Sequence, residues 1–285
     1  MVKEKKRLPV GLENFEQIIN DNYYYVDKTG LISELIRNGG MVNLFTRPRR
    51  FGKTLNMSML EHFFSIERDQ SIYDGLEISK DTKLCEEYMG KYPVISISLK
   101  GINAAAYEDA FDFAVQIMQR TAEEFQFLSD SEYLSEHDKS VYRELLDSNM
   151  SETVFCGGLK ILSKLLEKHY RLKVILLIDE YDVPLAKAFE NGYYEQMIFQ
   201  DYVNVFPENY WINTSSNDAV KKFIQMSDNL KTKREIETLL AGGEIIKEIH
   251  QELIYPEMYQ SLENVWSLLF MTGYLTQRGR VDAKP

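Results

Sequence analysis

Arg47-Pro48-Arg49-Arg50-Phe51-Gly52-Lys53-Thr54 is the stretch on which the reading of this chain turns. It lies between a short apolar run, Met41-Val42-Asn43-Leu44-Phe45, and a segment from Leu55 to Phe64 whose apolar residues recur at helical spacing. Strand, tight loop and helix is the context in which a Gly-Lys-Thr tripeptide holds phosphate. Backbone N–H groups at the helix start point at the anion, the lysine reaches the terminal phosphates, and the hydroxyl can ligate Mg²⁺. Gly52, Lys53 and Thr54 fit the pattern G-x-x-x-x-G-K-[ST], but Arg47 stands where the first glycine belongs. The guanidinium groups of Arg47, Arg49 and Arg50 match phosphate oxygens, and pairing with acidic surface groups is the competing reading for each.

Downstream, Val174-Ile175-Leu176-Leu177-Ile178 is an unbroken apolar run followed by Asp179-Glu180-Tyr181-Asp182. Such a run predicts a central strand of a parallel sheet, covered on both faces. A carboxylate at its C-terminal end can serve a metal, and the next one can activate water. That assigns Asp179 to Mg²⁺ and Glu180 to the attacking water, with Asp182 a weaker candidate. A solvated turn is the bland alternative. Upstream, Tyr23 to Val26 reads as a strand, and Tyr24-Tyr25-Val26-Asp27-Lys28-Thr29 lies one helix before the loop. Two readings of Asp27 stand side by side there: a contact to a nucleotide base, or an Asp/Thr turn capping the next helix.

Between these motifs, helices are expected around Leu31–Ile36, from Ala104 to Phe127 and from Gly157 to His169, with a further strand at Tyr92–Leu99. Strands alternating with helices mean an α/β domain, here residues 8–200. Residues 201–285 read as a smaller helical region, with segments at Asn217–Ser227, Arg234–Leu240 and Leu262–Leu275. Trp211 and Trp266 are expected to anchor that part, and the four histidines, which lack ligand spacing, are expected to be structural.

The net charge of −11 excludes a surface that is a nucleic-acid footprint throughout, because phosphate binding needs clustered Lys and Arg. Cys85 and Cys156 have no metal spacing and are expected as buried small residues in a reducing compartment. With no membrane-length apolar stretch and no signal peptide, a cytoplasmic location is expected.

Taken together, Tyr-Val-Asp-Lys-Thr at 25–29, Arg-Pro-Arg-Arg-Phe-Gly-Lys-Thr-Leu at 47–55 and Ile-Asp-Glu-Tyr-Asp-Val-Pro-Leu at 178–185 resemble the AAA-ATPase-like family of bacterial proteins. The resemblance covers residues 8 to 200 and resumes in Tyr210–Asn217 and Leu268–Leu275. It implies a P-loop NTPase fold, a mostly parallel sheet flanked by helices, that binds ATP with Mg²⁺ and hydrolyses it. Arginine in the first glycine position is normal in that family. The phosphate-side residues implied are Arg47, Arg49, Arg50, Phe51, Gly52, Lys53 and Thr54, with Asp27 nearby, Thr54 and Asp179 at the metal, and Glu180 and Asp179 catalytic. A nucleotide-dependent switch with little turnover, acting on an unknown effector, is the alternative. Family members usually add a strand with a polar sensor residue and a C-terminal PD-(D/E)XK nuclease-like domain. Here Phe199-Gln200 runs straight into Asp201-Tyr202, so a sensor block is expected to be missing, and no nuclease signature is found before Pro285.

Overall fold

The computed structural model describes residues 6–45, 51–66, 68–199, 230–250, 257, 260–271 and 273–278. They form two units: residues 1–44, 52–102 and 108–181 make the first, and residues 45–51, 103–107 and 182–285 the second.

In the first unit, α1 (Phe15–Asn20) begins at Asn14, whose side chain accepts from the Gln17 N–H at 2.8 Å. The next helix, α2 (Gly30–Asn38), stops at Gly39, which adopts φ 62° and returns its N–H to the Leu35 carbonyl. Then follow α3 (Lys53–Phe64), α4 (Thr82–Tyr88), β1 (Val94–Ser98), α5 (Tyr107–Glu123), α6 (Glu136–Leu145), α7 (Glu152–Tyr170) and β2 (Ile175–Asp179). A reciprocal capping box between Ser135 and Asp138 starts α6, and Lys168 on α7 meets Asp138 at 2.5 Å. That contact and the Ser135 bonds hold the Asp138 carboxyl down at about 2.

β1 and β2 pair in parallel, from Val94 opposite Ile175 to Ser98 opposite Asp179. Parallel neighbours need a long crossover, and residues 99–174, carrying α5 to α7, supply it. On one face of this pair, Val94 and Leu177 join Met59, Phe63 and Phe64 of α3 with Phe15, Ile32 and Tyr73 in one buried cluster. The helix that follows the Gly-Lys-Thr sequence is thus seated on the strand that ends in Asp179.

The fold is α/β, mostly helical, with a sheet of two strands among the described residues. Three strand expectations therefore need correction. Tyr23–Val26 and Met41–Phe45 have no strand, and Met41, Val42, Leu44 and Phe45 are all exposed. An apolar run becomes a strand only where a neighbouring edge takes its N–H and C=O groups, and neither run has one among the described residues. β2 forms as expected, but Leu176, pointing away from α3, is 41% exposed, so its second face is open. The cysteines are half-buried rather than buried, and the Cys85 thiol, donating to the Ile78 carbonyl at 3.3 Å, is pushed up by burial.

In the second unit, α8 (Val183–Asn191) has Pro184 in its first turn and ends at Gly192. Asn191 Nδ2 and the Tyr193 hydroxyl both donate to the Ala104 carbonyl at 3.0 Å, fastening residues 103–107 to the end of α8. α9 (Tyr194–Phe199), α10 (Leu230–Leu240) and α11 (Leu262–Met271) complete the described helices. Val265, Leu268 and Leu269 are buried, as their spacing predicts, and so is Trp266, whereas Met271, expected on the same core face, is half-buried. Trp211, the helix expected at Asn217–Ser227 and the stretch where a sensor strand is expected to be missing lie outside the described residues.

Candidate functional site

Gly52 adopts φ 78° and its carbonyl accepts the first turn of α3 from Asn56 at 2.9 Å. A Cβ there would meet nothing within 4 Å, so backbone conformation and not crowding is what requires glycine. Lys53 and Thr54 follow as the first two residues of the helix, both half-buried. Their backbone N–H groups stand in the first turn of the helix, where the helix dipole favours an anion.

Thr54 is joined to Asp179 across 125 residues of sequence. Its hydroxyl donates to Asp179 Oδ2 at 2.7 Å, while Asp179 Oδ1 accepts the Glu180 N–H at 2.9 Å. Asp179 is the last residue of β2, and the packing of α3 on that strand brings the two side chains together. Glu180 then turns into the left-handed region at φ 52°, which costs a non-glycine residue about 1–2 kcal/mol. Such strain clusters at functional sites.

Asp27 is in a different situation. Its carboxylate accepts from the Thr29 N–H at 2.9 Å, the Thr29 hydroxyl at 2.7 Å and the Glu77 N–H at 2.7 Å. Thr29, fully buried, also accepts the Ile78 N–H at 3.1 Å. Burial works to raise the Asp27 carboxyl, and these bonds outweigh it and hold the group below the ordinary carboxylate range. Asp27 therefore staples the Tyr25–Thr29 turn to the 3-10 helix Glu77–Lys80; α2 begins without a side-chain cap from Thr29.

Phe51 is exposed, and Arg47, Arg49 and Arg50 lie outside the described residues. Asp182 is fully buried at the start of α8, in the second unit. Of the expected site residues, the structure thus brings together Gly52, Lys53, Thr54, Asp179 and Glu180.

Residues 9–231 match the family described as Predicted AAA-ATPase. The chain belongs to that family. A protein of Azotobacter chroococcum mcd 1, "Uncharacterized protein in vnfD 5'region", is 29% identical over 182 residues. The aligned stretch is 64% of this chain and 30% of that protein, so this AAA-ATPase family member spans well under two thirds of its relative. No solved structure matches. The family match runs past residue 200 to residue 231.

Among the described residues, no group of three or more His, Cys, Asp or Glu is placed to hold a metal by itself. Mg²⁺ does not need one, since it keeps several waters and takes one or two protein oxygens besides phosphate. One hydroxyl and one carboxylate already in contact, Thr54 and Asp179, fit that demand. No described helix is long and apolar enough to cross a membrane.

Two features escaped the sequence reading. The left-handed backbone of Glu180 has no signal in residue type, since glutamate is rare there. Glu77 contributes its backbone N–H to Asp27, which no side-chain pattern can reveal.

Proposed function

We propose that this chain binds Mg-ATP as a P-loop NTPase and hydrolyses it. The observation that carries the reading is the 2.7 Å bond from the Thr54 hydroxyl to Asp179, made between a helix start after Gly52-Lys53 and the C-terminal end of a parallel strand. Membership of the predicted AAA-ATPase family supports it independently.

In this reading the N–H groups at the start of α3 and the Lys53 ammonium take the phosphates, and the sequence offers Arg47, Arg49, Arg50 and Phe51 as further phosphate-side residues. Thr54 and Asp179 are the residues that would hold Mg²⁺, whose contribution is to neutralise charge on the phosphate oxygens. Glu180 takes a proton from the attacking water as the new P–O bond forms and ADP departs with the electron pair of the broken bond. The strained backbone at Glu180 fixes the direction in which its carboxylate leaves the strand. Asp27 enters as a brace for the segment beside the nucleotide, its carboxylate being engaged by Thr29 and Glu77. Residues 8–200 are the proposed nucleotide-binding part.

Glu180→Gln separates binding from chemistry. A labelled Mg-ATP analogue should bind the variant as tightly as the wild type, while phosphate release falls by about 10²-fold or more. Unchanged turnover removes Glu180 from the mechanism. Wild-type binding without measurable turnover favours the alternative, a nucleotide-dependent switch acting on an effector.

A further inference from the structure

His62 lies in the last turn of α3 with 4% of its surface exposed, between Phe15 of α1 and Tyr73 of the 3-10 helix Gln70–Tyr73. The ring centroids stand 6.5 Å from Phe15 and 5.9 Å from Tyr73. Neither ring nitrogen has a hydrogen-bond partner among the described residues. The Tyr73 hydroxyl donates instead to the Met59 carbonyl at 2.7 Å.

The charged groups that act on this ring come from α1, from α3 and from the connection after α3. Glu16 of α1 places Oε2 3.9 Å from Nε2, and the same oxygen is 3.9 Å from Arg68 Nη1. Glu61 on α3 engages the other arm of Arg68 at 3.5 Å. Asp69 acts on the ring from the connection after α3. Just past α5, Glu124, raised by burial and by Glu61 and lowered by Arg68, neighbours that ion pair. Among the described residues one carboxylate lies within ion-pair distance of His62, and it is shared with an arginine.

We propose that His62 is an acid-operated release between α1 and α3: a proton taken up by the ring places a charge in the Phe15–Tyr73 interface, and α1 parts from α3. Two features make α1 the element that yields. Six residues are too few for a helix to persist without packing, and its one described hydrogen bond to α3 is the Phe15 N–H to Ser58 Oγ at 3.0 Å. Burial lowers the affinity of His62 for a proton below the ordinary 6.5, with Glu16 opposing. A lowered histidine favours the folded state fully above 6.5, and the advantage is lost as pH falls toward the folded-state value. The release therefore belongs to mildly acidic conditions and needs no nucleotide.

The test is ring-proton NMR of His62 with amide hydrogen exchange of Phe15 and Ile18 from pH 7.5 to 5, on the whole chain without ligand. After correction for intrinsic exchange, protection of both amides should fall over this range, while α7 amides hold. His62→Phe keeps the packing and removes the titration, so the fall should vanish. Should that variant not fold, Glu16→Gln still decides: the His62 midpoint moves lower and the loss of protection grows. A wild-type midpoint at or above 6.5, α1 protection that ignores pH, or a fall that persists in His62→Phe would overturn the proposal.

Discussion

Two aspartates follow strand-like runs in this sequence, and each bonds a threonine, yet they hold different things together. Asp27 accepts three donors, two of them backbone N–H groups fixed by the turn at Thr29 and the 3-10 helix at Glu77. Asp179 accepts one backbone N–H from its neighbour Glu180 and one hydroxyl from Thr54, on another element. A hydroxyl can rotate to a new partner at little cost, whereas an amide locked in a turn cannot. The donors thus distinguish a staple from a site, although residue type is the same at both.

Substitution should separate the two. Asp179→Asn keeps an acceptor for Thr54 but loses the charge, so affinity for Mg-ATP should fall about 10–100-fold, as metal-shell changes do, measured by titration of a labelled analogue. Its midpoint in urea should stay near that of the wild type. A variant that binds as well as the wild type would put Asp179 in the same class as Asp27.

Asp27→Ala should act the other way round, costing about 2 kcal/mol in urea unfolding because the buried Thr29 donors lose their acceptor. Acid gives the same staple a signature. Since the folded-state carboxyl is held down, its stabilisation is present above the ordinary value of 3.8 and is lost as pH falls through the folded value. Asp27→Asn should flatten stability against pH in that acidic window, and an unaltered profile would deny the staple its charge.

The backbone at the site offers two smaller tests of opposite sign. Gly52→Ala forces a Cβ into φ 78° and should cost about 1–2 kcal/mol, despite the open space around it. Glu180→Gly removes strain at φ 52° and should gain up to about 1 kcal/mol in urea unfolding, less what glycine's freedom takes back. No gain at Glu180 would mean that the left-handed turn holds no energy for the site.

Legibility followed the range of the interactions involved. Helices α2, α3, α7 and α11 were readable because an amphipathic stripe is local, and β1 and β2 because their β-branched or apolar runs found each other. Met41–Phe45 carries a comparable apolar run and forms no strand, since pairing depends on an edge elsewhere that no local pattern reports. At the site, Gly52, Lys53, Thr54, Asp179 and Glu180 could be named from residue type and position. Their meeting depends on α3 packing against β2, and the role of Asp27 depends on a backbone N–H at Glu77, which side-chain identity does not encode.

The central claim is that the start of α3 and the end of β2 form one nucleotide site. Equilibrium binding of a labelled Mg-ATP analogue to the wild type and to Lys53→Ala tests it most directly. Saturable binding to the wild type that is lost in a folded Lys53→Ala is the predicted result; no binding to the wild type, or equal binding to both, would contradict it.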